Sequence, residues 1–207
     1  AQLLEAQEPG GVAARFLTKN QPSLEAQLCN IADEMAYNAH DIDDGVRSGL
    51  ISMAQLEDVA LFDDYRRQVE NEFADLSGRR LLYETIRRML SDQVYDVLQA
   101  TQSALEQHAP ASVDAVRAAP ALVMFSVPMQ QRSTQLKTFL LHHLYRHPQV
   151  MQTTDWAKQV VAELFAAYLS HPQEMPEGHA KRDNRPRAVA DYIAGMTDRY
   201  AMKEYRQ

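Results

Sequence analysis

A chain of 207 residues, 45% apolar and 24% charged, has material for one hydrophobic core or two small ones and sits in the ordinary range of globular proteins. Its net charge of −7 argues against generic binding to nucleic-acid backbone, so no DNA partner is expected, and its single cysteine, Cys29, excludes an internal disulfide framework and fits a reducing, cytoplasmic setting. No run approaches the length of a membrane span, no signal-peptide pattern opens the sequence, and few glycines among abundant Ala, Leu, Glu, Gln and Arg point to an all-α fold, a multi-helix bundle.

Residues 1–21, with the turn signal Glu8-Pro9-Gly10-Gly11, read as a connector in which Arg15 and Lys19 either solubilise the loop or reach a phosphate. Residues 22–207 read as a helical domain. It opens on a long helix between Pro22 and Gly49, with Ser23 placed to cap, Glu25 in the first turn and Gly49 just past the end. Leu24, Leu28, Ile31, Met35, Ala39, Ile42 and Val46 recur every three or four positions and share one face. Cys29 reads as a small packing residue.

The opposite face carries Asp33, Tyr37, His40, Asp44 and Arg47, with Asp41 at its edge. Two readings compete. One is a solvated face; the other is a site, because carboxylates crowded on one face without lysines repel unless a cation or hydrogen-bond donors answer them.

Ser52 and Gln55 form a capping-box pattern for a short helix, and Asp63 to Phe73 fits another. From Arg79 onward Leu82, Ile86, Met89, Val94, Val97, Leu98, Thr101 and Leu105 keep helical spacing, predicting a second long helix packed along the first. Arg79, Arg80, Arg87 and Arg88 open it. Their guanidinium forks suit phosphate oxygens, or they form a charged flank with Glu84 or Asp92. Pro110, Pro120 and Pro128 break the next stretch into loop and brief helices.

A helix from Gln130 to Arg146 is expected to end before Pro148, its His142 and His143, with His147 just beyond, lying on a surface or a subunit contact, since adjacent helical positions point about 100° apart. Thr154 to Leu169 is expected to bury Trp156, Val160, Val161, Leu164, Phe165 and Tyr168. A last helix runs from Arg187 to about Glu204. The Asp41 to Gly45 stretch fails as a calcium loop, and no glycine-rich phosphate loop or nucleophile elbow is present, so any nucleotide must be held by helix side chains.

Four segments together resemble the deoxyguanosine triphosphate triphosphohydrolase-like proteins, a branch of the HD-domain phosphohydrolases: ADEMAYNAHDIDDGVRSGL, RRLLYETIRRMLSDQVYDVL, LKTFLLHHLYRHPQV and VADYIAGMTDRYA. The resemblance implies that Asp33 is a catalytic metal ligand, Tyr37 packs near the deoxyribose and first phosphate, and Asp41 accepts a hydrogen bond from the sugar 3′-hydroxyl. His40 has at most a phosphate-side role, and Arg79 and Arg80 are candidates for the phosphates. A divalent cation, Mg or Mn, and a deoxynucleoside triphosphate substrate are implied, with hydrolysis to deoxynucleoside and tripolyphosphate.

The family's upstream histidine and histidine-aspartate ligands have no counterpart, because no histidine precedes Pro22. The chain therefore resembles the C-terminal half of such an enzyme. Asp191, Tyr192, Asp198 and Arg199 match its late motif, either touching substrate or buttressing the fold. A homo-oligomer is expected. The competing reading is a non-catalytic helical module for regulation or oligomerisation that binds an effector nucleotide or a partner.

Overall fold

The computed structural model describes residues 20–206 together with Ala6, Pro9, Gly11 and Leu17; Arg15, Lys19 and most of the expected connector lie outside the described residues. The described residues are all-α, with no strand among them, as the composition suggested. Where the pattern suggested one helical domain, the chain divides into two compact units, residues 1–144 and 145–207.

In the first unit, α1 spans Leu24–Ser48. Ser23 Oγ accepts from Ala26 N at its start, and Gly49 ends it at φ 76°, a left-handed conformation that glycine reaches at little cost. Helix α2 (Met53–Leu56) carries the complete capping box of Ser52 and Gln55. Helix α3 covers Ala60–Glu72 and α4 covers Gly78–His108. Two shorter elements complete the unit, α5 at Val113–Ala118 and α6 at Val127–Leu140, whose run passes into a π-turn at Leu141–Tyr145. That is a correction at both ends of the expected 130–146 helix. Ser126 caps and Pro128 sits in the first turn, where its missing N–H costs nothing, so α6 starts earlier.

Helices α1 and α4 run antiparallel, with Leu24 and Leu105 sharing one groove and Asp43 close enough to Arg79 for its field to be felt. The core of the unit gathers Met35 and Ile42 of α1, Phe62 and Tyr65 of α3, Leu82 and Met89 of α4, and Leu136 and Leu140 of α6. Asp96 of α4 accepts from both Ser126 N (2.8 Å) and Ser126 Oγ (2.5 Å), tying the start of α6 to α4.

One buried side chain fixes the entry of α1. Gln27 donates from Nε2 to Pro22 O (3.0 Å), while its Oε1 accepts from Leu122 N (2.8 Å) and Val123 N (3.1 Å). Gln27→Ala strands two backbone N–H groups at a part-buried position, and roughly 1–3 kcal/mol of unit stability should go with them. Equilibrium denaturation of the variant checks this; an unchanged midpoint would show that water replaces the amide without loss.

The second unit contains α7 (Pro148–Ser170), a 3₁₀ turn at Pro172–Glu174, α8 (Glu177–Ala180), α9 (Arg185–Ala194) and α10 (Asp198–Tyr205). Two expectations are corrected here. Pro148 starts a helix instead of only ending one, with His147 Nδ1 accepting from Gln149 N. The expected last helix is broken at Gly195, because Thr197 caps a new start by accepting from Tyr200 N at 3.3 Å. The small core joins Val160, Leu164 and Tyr168 to Met175 and Val189. Trp156, expected inside, is 46% exposed, and Val161 is likewise exposed.

Candidate functional site

The site is built on α1, whose length and caps hold its polar face in register over the whole 24–48 span. Met35, Ala39 and Ile42 are buried against the unit's core. That leaves Asp33, Tyr37 and His40 exposed on the other side and Asp41 half-buried at its edge. Residues one turn apart on a helix point the same way, so Asp33, Tyr37 and Asp41 are neighbours along one flank.

What distinguishes Asp33, Tyr37 and His40 is that none makes a side-chain hydrogen bond or ion pair among the described residues. Their neighbours are engaged. Asp44 pairs with Arg47 on the same helix, and Glu34 accepts from Lys137 Nζ (2.8 Å) and Ser133 Oγ (3.2 Å) of α6. Asp41 also has an interaction partner. A tyrosine 67% exposed on an acidic face, with no bond to its hydroxyl, is a surface awaiting contact.

None of the cavities described here is lined by Asp33, Tyr37, His40 or Asp41. Among the described residues no group of three or more His, Cys, Asp or Glu is arranged to hold a metal ion. On the exposed flank of α1, Asp33 is a carboxylate without a side-chain partner among the described residues, and a complete coordination shell around it needs donors from elsewhere.

The arginines at the start of α4 split by role. Arg87 Nη2 lies 2.7 Å from Glu84, and Arg88 bridges Glu84 (2.8 Å) and Glu72 (2.6 Å), so the charged-flank reading holds for these two. Asp92, the other partner expected for them, instead lies beside Tyr65, whose phenol is pushed up to about 12 by burial first and then by its hydrogen bond to Asp92. Arg79 donates to Tyr83 OH at 2.6 Å, and Arg80 lines a shallow cleft of about 440 Å³ with Phe73, Leu76 and Tyr83. Neither Arg79 nor Arg80 contacts Asp33, Tyr37 or His40 among the described residues.

Hydrogen bonds from Arg87 and Arg88 pull the Glu84 carboxyl down to about 2, from an ordinary value near 4.5. A depressed carboxylate stabilises the fold above its unfolded pKa and loses that contribution as pH falls toward the folded one. Acid unfolding should therefore show a stability loss between about pH 4.5 and pH 2 that Glu84→Gln flattens. Superimposable acid limbs for the two proteins would count against the pairing.

Asp191 accepts from Arg182 Nη1 (3.0 Å) and Arg187 Nε (2.8 Å), and Tyr192 OH meets Tyr200 OH at 3.1 Å, so both side chains are engaged within the second unit. His143 stacks on Phe139 at 4.4 Å, and His142 and His143 are exposed. Cys29 is exposed, which corrects its reading as a packing residue. Sequence reasoning missed the grip of Lys137 and Ser133 on Glu34, a contact about a hundred residues apart that no local pattern signals.

Against known proteins, residues 123–207 match the phosphohydrolase-associated domain. The chain is 49% identical over 201 residues to a deoxyguanosinetriphosphate triphosphohydrolase-like protein of Ralstonia pickettii, covering 96% of this chain and 52% of that protein. It is 46% identical over 204 residues to one of Azoarcus sp., covering 98% of this chain and 54% of the relative, and 42% identical over 198 residues to one of Nitrosomonas europaea, covering 95% and 53%. The chain spans about half the length of the curated relatives it matches.

Proposed function

We propose that this chain, a member of the deoxyguanosinetriphosphate triphosphohydrolase-like proteins over about half their length, is the part of a phosphohydrolase that supplies one metal ligand and the sugar-side wall of a deoxynucleoside triphosphate site. The observation that carries the proposal is the uncommitted flank of α1: Asp33, Tyr37 and His40 stand exposed along one helix, without side-chain partners among the described residues.

The remaining ligands belong to the half of the polypeptide that the relatives have and this chain does not span. Asp33 holds a divalent cation, Mg or Mn, in company with them; when bound, such an ion lends positive charge to a phosphate oxygen and to the attacking water. Tyr37 fills the space beside C2′ and so disfavours a ribose hydroxyl. Asp41 fixes the sugar by accepting from its 3′-hydroxyl, and His40 lies toward the phosphates. The products are the deoxynucleoside and tripolyphosphate.

The decisive assay incubates the complete polypeptide with each of the four deoxynucleoside triphosphates under Mg or Mn and identifies tripolyphosphate by ion chromatography. Release of monophosphate or pyrophosphate alone would end the triphosphohydrolase reading. Within an active enzyme, Asp41→Asn should lower kcat/KM by about 10–100-fold, the loss of one charge-assisted hydrogen bond, while bound metal is unchanged. Loss of metal in that variant would move Asp41 out of the sugar role.

A second reading rests on the open face itself. Since Asp33 and Tyr37 are exposed and no three-ligand cluster exists among the described residues, the chain could serve as a helical regulatory or oligomerisation module without chemistry. Binding of a nucleotide or partner by a complete polypeptide with no turnover under any of those conditions would favour it.

A further inference from the structure

The apolar face of α1 is only partly covered. Its middle is buried, yet Leu28 is 52% exposed, and across from it on α4 Leu98 is 57% exposed. Between them lies a groove of about 850 Å³ whose walls include Leu24, Leu28, Val97, Leu98, Leu105 and Val123. Apolar patches of this kind are uncommon on a surface that stays wet.

Two further features of the groove describe what fits it. Thr101 lines it, and its hydroxyl is buried without a hydrogen-bond partner, although Thr85 on the same helix bonds back to Leu81 O at 2.8 Å. The wall therefore holds one polar atom still to be satisfied. The rim carries Glu25 and Glu106 and no basic residue, on a chain whose net charge is already −7. An apolar stripe edged by lysine or arginine is the complement, which is the pattern of an amphipathic helix with basic flanks.

We propose that this groove is where the half of the polypeptide absent from this chain docks, through one amphipathic helix with basic edges. The proposal rests on the functional reading above and adds the surface by which the two halves register. Three observations select this occupant. The relatives carry nearly as much chain again as they share with this one. The groove lies along α1, the helix that bears Asp33, so a partner seated there grips that helix from its apolar side, about 140° around the axis from the carboxylate five residues on from Leu28. The charged residues of the rim among the described residues, Glu25 and Glu106, are both acidic, which suits a basic-edged helix and disfavours a second copy presenting the same pair.

The test is side-chain footprinting with a photolysed diazirine on the 207-residue chain and on the complete polypeptide, each at two concentrations a hundredfold apart. Leu28 and Leu98 should label readily in the short chain and lose labelling several-fold in the complete polypeptide at both concentrations. Equal labelling in the two proteins overturns the proposal, as does shielding that vanishes on dilution, since that identifies a second copy as the occupant. The double variant Leu28→Lys, Leu98→Lys, confirmed to be helical in the short chain, should restore labelling of Leu24 and Leu105, both half-buried groove residues, in the complete polypeptide; continued shielding of both would place the contact elsewhere. A polypeptide that shields the groove but hydrolyses no nucleotide keeps this proposal and defeats the enzymatic reading, and an active one with an open groove does the converse.

Discussion

Asp33→Ala in the complete polypeptide should reduce deoxynucleoside triphosphate turnover by a factor on the order of 10³ or more, the several kcal/mol that a correctly held cation contributes. Bound metal should fall with it. Thermal stability should not, because Asp33 is exposed and bonds to nothing among the described residues, so its removal deletes no native contact. The informative control is Asp44→Ala on the same face, where a carboxylate engaged by Arg47 is removed. That variant should keep both turnover and metal, since an exposed ion pair contributes about 0–1 kcal/mol. Near-normal turnover in Asp33→Ala, or equal losses in the two variants, would detach the metal-ligand role from Asp33.

The second large effect is on stability. Phe62→Ala should destabilise the first unit by about 3–5 kcal/mol, combining lost transfer energy with the cavity left behind. Phe62 is fully buried on α3, in the cluster that joins α3 to α1, α4 and α6. Neighbours cannot easily close the gap: Ile42 and Met89 are themselves fully buried, and α6 is tied to α4 through Ser126 and Asp96 and to α3 through Arg132 Nη2 to Ala60 O at 2.8 Å. Chemical denaturation monitored by helicity should show the loss in the transition of residues 1–144. A shift of under about 1 kcal/mol would mean that the core repacks around an aromatic-sized hole, contrary to close packing.

Elements set by local chemistry were legible from sequence. The ends of α1 follow from Ser23 and Gly49, and α2 follows from the Ser52 and Gln55 box, since caps depend on residues three or four apart. The polar flank of α1 was legible for the same reason, helical phase being a local property. Depth was not. Leu28, Leu98 and Trp156 keep the spacing of core residues, but spacing says which residues share a face and not whether another segment covers that face.

Local signals mislead in opposite directions at two points. Pro148 suggests a terminator although it is equally at home in a first turn, and the spacing from Arg187 to Glu204 runs through Gly195, where the helix stops and restarts under a side-chain cap from Thr197. The clamp of Gln27 on Leu122 and Val123, and the grip of Lys137 on Glu34, join residues some hundred positions apart, where periodicity carries no information.

The Gln27 clamp bears on how this fold tolerates lengthening. One carboxamide holds the entry of α1 at Pro22 and the strand of chain at Leu122 and Val123 together, 95 positions apart. Extra residues between Ala109 and Pro120 can bulge outward while both grips persist. A single residue inserted between Pro22 and Gln27 rotates the amide by about 100° around the helix axis. It would release Leu122 and Val123 at one stroke, and with them the wall that Val123 contributes beside Leu28. Homologues should accordingly vary in length in the first stretch and keep a fixed count in the second.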